Sequence, residues 1–128
     1  MAKPRRRPTD AELEILRVIW QRGPCTVRQV HDEVSPRRQT GYTTVLKLLQ
    51  IMTEKGLVKR DESQRSHVYT AASGEEETQG QLVGELMNKA FGGSAAQLVL
   101  RALSNKPASA EEIAEIRRML DELEGGEK

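Results

Sequence analysis

Apolar positions recur along this chain at helical spacing in stretches separated by Gly, Pro and capping residues. Thr9-Asp10-Ala11-Glu12 has the form of a capping box, and Leu13, Ile15, Leu16, Ile19 and Trp20 follow as an apolar stripe that ends at Gly23-Pro24. Thr26 to Gln29 repeats the signature, with Val27, Val30 and Val34 spaced for a short second helix. A polar connector, Ser35 to Gln39, is expected next. In TGYTTVLKLLQIMTEKG, residues 40–56, Val45, Leu48, Leu49 and Met52 share one face and Thr43, Lys47, Gln50 and Glu54 the other, which predicts an amphipathic helix closed by Gly56.

The pattern then changes period. Leu57 to Asp61 and His67 to Ala71 are short β-capable runs around the polar segment 62–66, which predicts a hairpin. From Gly74 onward helical spacing returns: Leu82, Val83, Leu86, Met87, Ala90 and Phe91 up to Gly92-Gly93, then the strongly apolar run 94–104, then Ser109-Ala110-Glu111-Glu112 opening a last helix with Ile113, Ile116, Leu120 and Leu123. The fold class expected is mainly α with a small β wing. An N-terminal winged helix-turn-helix over 9–73 is followed by a helical region over 74–124, with a flexible basic arm at 1–8 and a disordered tail at 125–128. None of the later stripes can bury itself alone, so Leu82, Leu86, Phe91, Leu98, Val99, Leu100, Leu103, Ile113, Ile116 and Leu120 are candidate dimerisation residues.

Charge sharpens this division. Residues 1–70 carry 14 Lys/Arg against 8 Asp/Glu, and residues 71–128 carry 6 against 11. A basic front half joined to an acidic back half is the footprint of a nucleic-acid reader tied to a part that does not touch nucleic acid. The polar face of the third helix supplies Tyr42, Thr43, Thr44, Lys47 and Gln50, whose side chains can meet base edges in a major groove. Arg37 and Arg38 before it, and Lys59, Arg60 and Arg65 in the hairpin, are candidate phosphate contacts, as are Arg5, Arg6 and Arg7 of the arm.

With four aromatic residues, the core must come from Leu, Ile, Val and Ala, and Trp20 is expected to anchor it. Cys25 is the only cysteine, which excludes an intrachain disulfide and fits a small buried residue in a reducing compartment. Two histidines and one cysteine without ligand spacing give no metal site, and no cofactor is expected. The absence of a membrane-length apolar run and of a signal-peptide core predicts a cytoplasmic protein. No paired carboxylates, nucleophile-base set or phosphate loop suggests an enzyme. A winged-helix protein-interaction module and a ligand-responsive winged-helix regulator are the competing readings.

The runs TDAELEILRVIW, YTTVLKLLQIMTEKGLVKR, HVYTA and FGGSAAQLVLRAL resemble the BlaI/MecI family of penicillinase and methicillin-resistance repressors, from about Pro8 to Leu123. The resemblance implies a homodimeric transcriptional repressor in the antibiotic response, which occludes a dyad-symmetric double-stranded operator. It also implies a membrane sensor-protease as partner, whose action leads to cleavage in the dimerisation segment and ends repression. The segment equivalent to that cut reads Leu98-Val99-Leu100-Arg101-Ala102, with Arg101-Ala102 where staphylococcal repressors carry Asn-Phe. Copper-responsive relatives have a cysteine-rich tail that this sequence lacks. The third helix opens on Gly41-Tyr42 in place of a Ser-Pro start, which weakens its cap and changes its first-turn contacts.

Overall fold

The computed structural model describes residues 7–105 and 107–126, with Arg37 and Arg38 described through their backbone alone. Arg5 and Arg6 of the predicted arm lie outside the described residues. The elements run α1 (Asp10–Arg22), β1 (Cys25–Thr26), α2 (Val27–Arg38), α3 (Tyr42–Lys55), β2 (Val58–Asp61), β3 (Val68–Ala71), α4 (Glu75–Ala90), α5 (Ala95–Asn105) and α6 (Ala110–Gly126). Two compact units result, with the division between Leu82 and Val83, inside α4.

Both predicted capping boxes at the start of the chain form. The Thr9 hydroxyl accepts from the Glu12 amide at 3.2 Å while the Thr9 amide donates to Glu12 Oε1 at 2.9 Å, and Thr26 and Gln29 repeat the exchange. Each box satisfies two amides that a helix start would otherwise leave open. The helix α3 closes on Gly56 in the left-handed region (φ 81°), with Leu57 N–H donating to Met52 O and Gly56 N–H to Thr53 O. That is a Schellman closure, and its apolar partners Leu57 and Met52 are both buried.

Ile15, Leu16 and Ile19 of α1, Val27, Val30 and Val34 of α2, and Val45, Leu49 and Met52 of α3 converge on one core with Cys25, Leu57, Val58 and Tyr69. Leu48, expected on the inner face, is only half-buried and packs at its edge. Trp20 is likewise partly buried, and its indole N–H donates to Ser73 O at 3.0 Å, tying the end of α1 to the segment that leaves the sheet. Cys25 is fully enclosed, and burial pushes its thiol pKa up.

Three features depart from the sequence reading. The strand β1 adds a third member to the expected hairpin, pairing Cys25 with Tyr69 and Thr26 with Val68, so that the antiparallel order is β1-β3-β2. The polar connector Ser35–Gln39 is corrected to the last turn of α2. Pro36 has a helical φ but forgoes one helical hydrogen bond and crowds the carbonyl four residues back, and α2 ends within three residues of it, where Gln39 N–H reaches Ser35 O at 2.7 Å. Finally, α6 continues through Gly125 and Gly126 into the predicted tail, since their amides can still reach carbonyls four residues back.

One long-range ion pair ties the frame together. Lys55 Nζ lies 2.8 and 3.0 Å from the two oxygens of Glu12, whose side chain is almost fully buried. Burial acts to raise the Glu12 pKa, but the Lys55 ammonium and the Thr9 amide outweigh it and hold the carboxyl below its ordinary value. The C-terminus of α3 is thus fastened to the N-terminus of α1.

Candidate nucleic-acid interface

The core fixes which face of α3 looks outward. Val45, Leu49 and Met52 are fully enclosed, and on the opposite side Thr43, Thr44, Lys47 and Gln50 are all exposed. These four side chains offer hydroxyls, an amide and an ammonium along nearly two helical turns, a set that can pair with base edges. Gly41 caps α3 without a side-chain hydrogen bond, so its first-turn amides gain no side-chain partner from the cap. Tyr42, 46% exposed, stands at that end with its ring 6.0 Å from the ring of His31 on α2, edge to face at 65°. His31 escaped the sequence reading because eleven positions and a turn separate it from Tyr42.

The predicted wing cations differ in their surroundings. Lys59 and Arg65 are exposed, whereas Arg60 donates through Nε to Glu62 Oε2 at 2.8 Å, with its Nη2 at 2.6 Å from the same oxygen. Glu62 first, then the Tyr69 hydroxyl, stabilises its charge and raises its pKa. Part of the charge expected for phosphates is therefore met within the wing. At the wing tip the Asp61 carboxylate accepts from Ser63 N–H at 2.9 Å, and hydrogen bonds from Ser63 lower the Asp61 pKa. The backbone of Arg37 and Arg38 closes α2, and their side chains lie outside the described residues.

A cleft of about 400 Å³ opens between the start of α2, the start of α3 and the wing. Tyr42 and Arg65, both anticipated, line it together with Arg28, Ser66 and His67, which were not. Arg28 is concealed in sequence by its place inside a capping box, where it reads only as a solvated helix residue.

In the second unit α5 and α6 carry no buried residue. Of the candidate dimerisation residues there, Leu86, Val99, Leu100 and Leu120 are each about half exposed, and Phe91, Leu98, Leu103, Ile113 and Ile116 are half-buried. Leu82, half-buried, belongs to the first unit. Met119, absent from the sequence-based set, extends the exposed apolar surface. Arg101 and Ala102 are exposed in the middle of α5, on the edge of a groove of about 420 Å³ that Leu86, Phe91 and Leu98 also line.

Residues 8–122 match the family model for the penicillinase repressor. The chain belongs to the penicillinase repressor family. This is a family of DNA-binding transcriptional repressors, not enzymes. Among its members, the transcriptional regulator BlaI of Mycobacterium tuberculosis is 35% identical over 118 residues, covering 91% of this chain and 85% of that one. The penicillinase repressor of Bacillus licheniformis is 28% identical over 120 residues, covering 94% of each chain. The solution structure of monomeric B. licheniformis BlaI in complex with the blaP half-operator superposes with a TM-score of 0.51 at 28% identity, covering 59% of this chain and 93% of that one. As a penicillinase repressor family member, the chain has the winged-helix fold followed by further helices, and among the described residues no helix is long and apolar enough to cross a membrane.

Proposed function

We propose that this chain is a homodimeric repressor that occludes a dyad-symmetric operator, reading it with the winged helix of residues 9–73 and pairing through the helical region of residues 74–124. The observation that carries the DNA-reading half is the two-faced α3: the enclosed face fixes its orientation, and Thr43, Thr44, Lys47 and Gln50 are left for a major groove. A relative of 28% identity that binds a half-operator as a monomer supports the same reading. The pairing half rests on the apolar residues of α5 and α6 that this chain leaves uncovered. A winged helix alone holds one half-site weakly, and tethering two raises the effective concentration at the second.

Relief of repression follows from that coupling. Cleavage anywhere in residues 92–106, Arg101-Ala102 included, would separate the pairing helices from the readers, and a membrane sensor-protease is the partner we assign to this step. The Arg101-Ala102 bond lies inside α5, so the helix must unwind locally before a protease can bind that segment in extended form.

The test uses the full chain and a duplex selected by it from a randomised pool. Thr44→Ala and Lys47→Ala should each cost about 1–3 kcal/mol on the selected duplex and much less on unrelated DNA. If about six phosphates are neutralised per dimer, affinity should fall by roughly three orders of magnitude between 50 and 200 mM salt. Equal losses on both DNAs would reduce the α3 face to a phosphate contact and reject it as the reader.

A further inference from the structure

The cleft between α2, α3 and the wing has a composition that the base-reading face of α3 does not explain. Its rim brings together Arg28 from the first turn of α2, and Arg65, Ser66 and His67 from the wing, while Leu46 and the ring of Tyr42 line it from α3. Unlike Arg60, neither Arg28 nor Arg65 forms an ion pair among the described residues. Two guanidiniums, a hydroxyl and an imidazole over partly apolar walls suit a sugar-phosphate unit, with the charge met at the rim and the sugar against Leu46 and Tyr42.

Duplex geometry brings such a unit to this place. Neighbouring major and minor grooves are divided by a single sugar-phosphate strand. If α3 occupies the major groove and the wing lies over the adjoining minor groove, the dividing strand must cross the gap between α3 and the wing, which is the mouth of this cleft. We propose that the cleft is a backbone clamp, in which Arg28, Arg65, Ser66 and His67 grip one phosphate of that strand and set the depth and angle at which α3 enters the groove. The clamp rests on the DNA-reading proposal above and adds Arg28 and His67 as positioning residues. It carries no base preference of its own, because a phosphate is the same beside every base.

The experiment pairs protein substitutions with neutral phosphates. The full chain and its Arg28→Ala variant are titrated against the pool-selected duplex carrying a methylphosphonate at one phosphate at a time. Arg28 is exposed, so an unchanged melting temperature is expected and serves as the folding control. With the wild-type chain, neutralising the clamped phosphate of a half-site should weaken binding by at least about tenfold, the size of one charge-assisted hydrogen bond. With Arg28→Ala the cost of that same position should fall several-fold, to what Arg65 and His67 still supply, every other phosphate should keep its cost, and the salt slope should drop by up to about one per half-site. His67→Ala should reduce the cost of the same phosphate, and Lys59→Ala should leave it unchanged. Equal losses from Arg28→Ala at every phosphate would overturn the clamp while leaving α3 as reader. Chemical-shift changes at His67 on adding thymidine monophosphate below millimolar concentration, without DNA, together with no half-site phosphate whose neutralisation is felt less by Arg28→Ala, would also overturn it by marking the cleft as a seat for a free nucleotide. A wild-type chain that captures no duplex would remove the DNA-reading proposal and the clamp together.

Discussion

In the first unit Val45, Leu49 and Met52 of α3 are completely enclosed, whereas in the second unit Val99, Leu100 and Leu120, equally apolar and equally placed at helical spacing, stay about half exposed. The difference lies in what each helix finds to pack on. Three helices and a three-stranded sheet in the first unit supply apolar surface on every side of one core, and two capping boxes, a Schellman closure and the Glu12–Lys55 pair fix its angles. Among its described residues the second unit has helices and no strand, and α5 and α6 hold no buried residue. Hydrophobic spacing therefore predicts a helix equally well in both units, but it does not say whether the apolar stripe is covered by the same chain. That distinction separates a part that is complete in itself from a part built to be completed, here by the second copy we propose.

The strongest way to break this contrast is to attack the first unit where it fastens itself. Lys55→Met leaves the nearly enclosed Glu12 carboxylate without its cation, and removing one partner of a buried pair costs about 3–5 kcal/mol. Urea unfolding of the first unit should shift by that amount, while association of the full chain, measured under native conditions, should be unaffected. The pH dependence has a definite sign. Because the folded Glu12 pKa is lowered, its contribution is fully present above the unfolded value of about 4.3 and is lost as pH falls through the folded value. The stability gap between wild type and Glu12→Gln should accordingly close on acidification. A gap that widens toward low pH would contradict the assignment of Lys55 as the partner that holds the charge.

The complementary break is in the second unit. Leu100→Asp sets a carboxylate on a surface that lies buried in the proposed dimer, where an unpaired charge costs several kcal/mol. Sedimentation should show a monomer, and affinity for the full operator should fall by about a hundredfold as the avidity of two linked readers is lost. The unfolding midpoint of the first unit should not move. A variant that still sediments as a dimer would place Leu100 outside the interface and return the pairing surface to the other exposed residues of α4 and α6.

The same contrast governs what could be read from sequence. Signals that act within four residues were legible: Thr9 with Glu12, Thr26 with Gln29, and Gly56 with its helix, each a local arrangement of donors and acceptors. The bulk of α3 was legible for the same reason, since its period alone separates Val45, Leu49 and Met52 from Thr43, Thr44 and Lys47. Signals that need the fold were not. Glu12 and Lys55 lie 43 positions apart, and nothing local distinguishes Lys55 from any solvated lysine. The strand β1 is two residues long, too short to show an alternating period, and exists because β3 offers it a partner. Arg60 and Glu62 are the exception among near neighbours: two positions apart, they would share one side of an extended strand, but that spacing alone does not say whether the guanidinium meets the carboxylate or a phosphate. Arg28 and His67 gain significance only when α2 and the wing are set beside each other.

The smallest effect tests how far the first unit determines its own backbone. Gln39 ends α2 in the left-handed region at φ 51°, the only non-glycine residue with positive φ among those described. A side chain there carries a steric cost, and glycine is the residue usually found at this position of a helix end. Gln39→Gly removes that cost but enlarges the conformational freedom of the unfolded chain, which offsets about 0.4–1 kcal/mol of the gain. The net expected rise in unfolding free energy is therefore small, from a few tenths up to about 1 kcal/mol, and it should appear as a higher urea midpoint with an unchanged slope. DNA affinity should hold, because the Gln39 amide keeps its bond to Ser35 O in either variant and the entry of α3 is set by the core rather than by this side chain. A clear loss of stability would mean that the Gln39 side chain itself contributes to the turn, and a loss of affinity at unchanged stability would move the control of α3 from the core to the three residues that precede it.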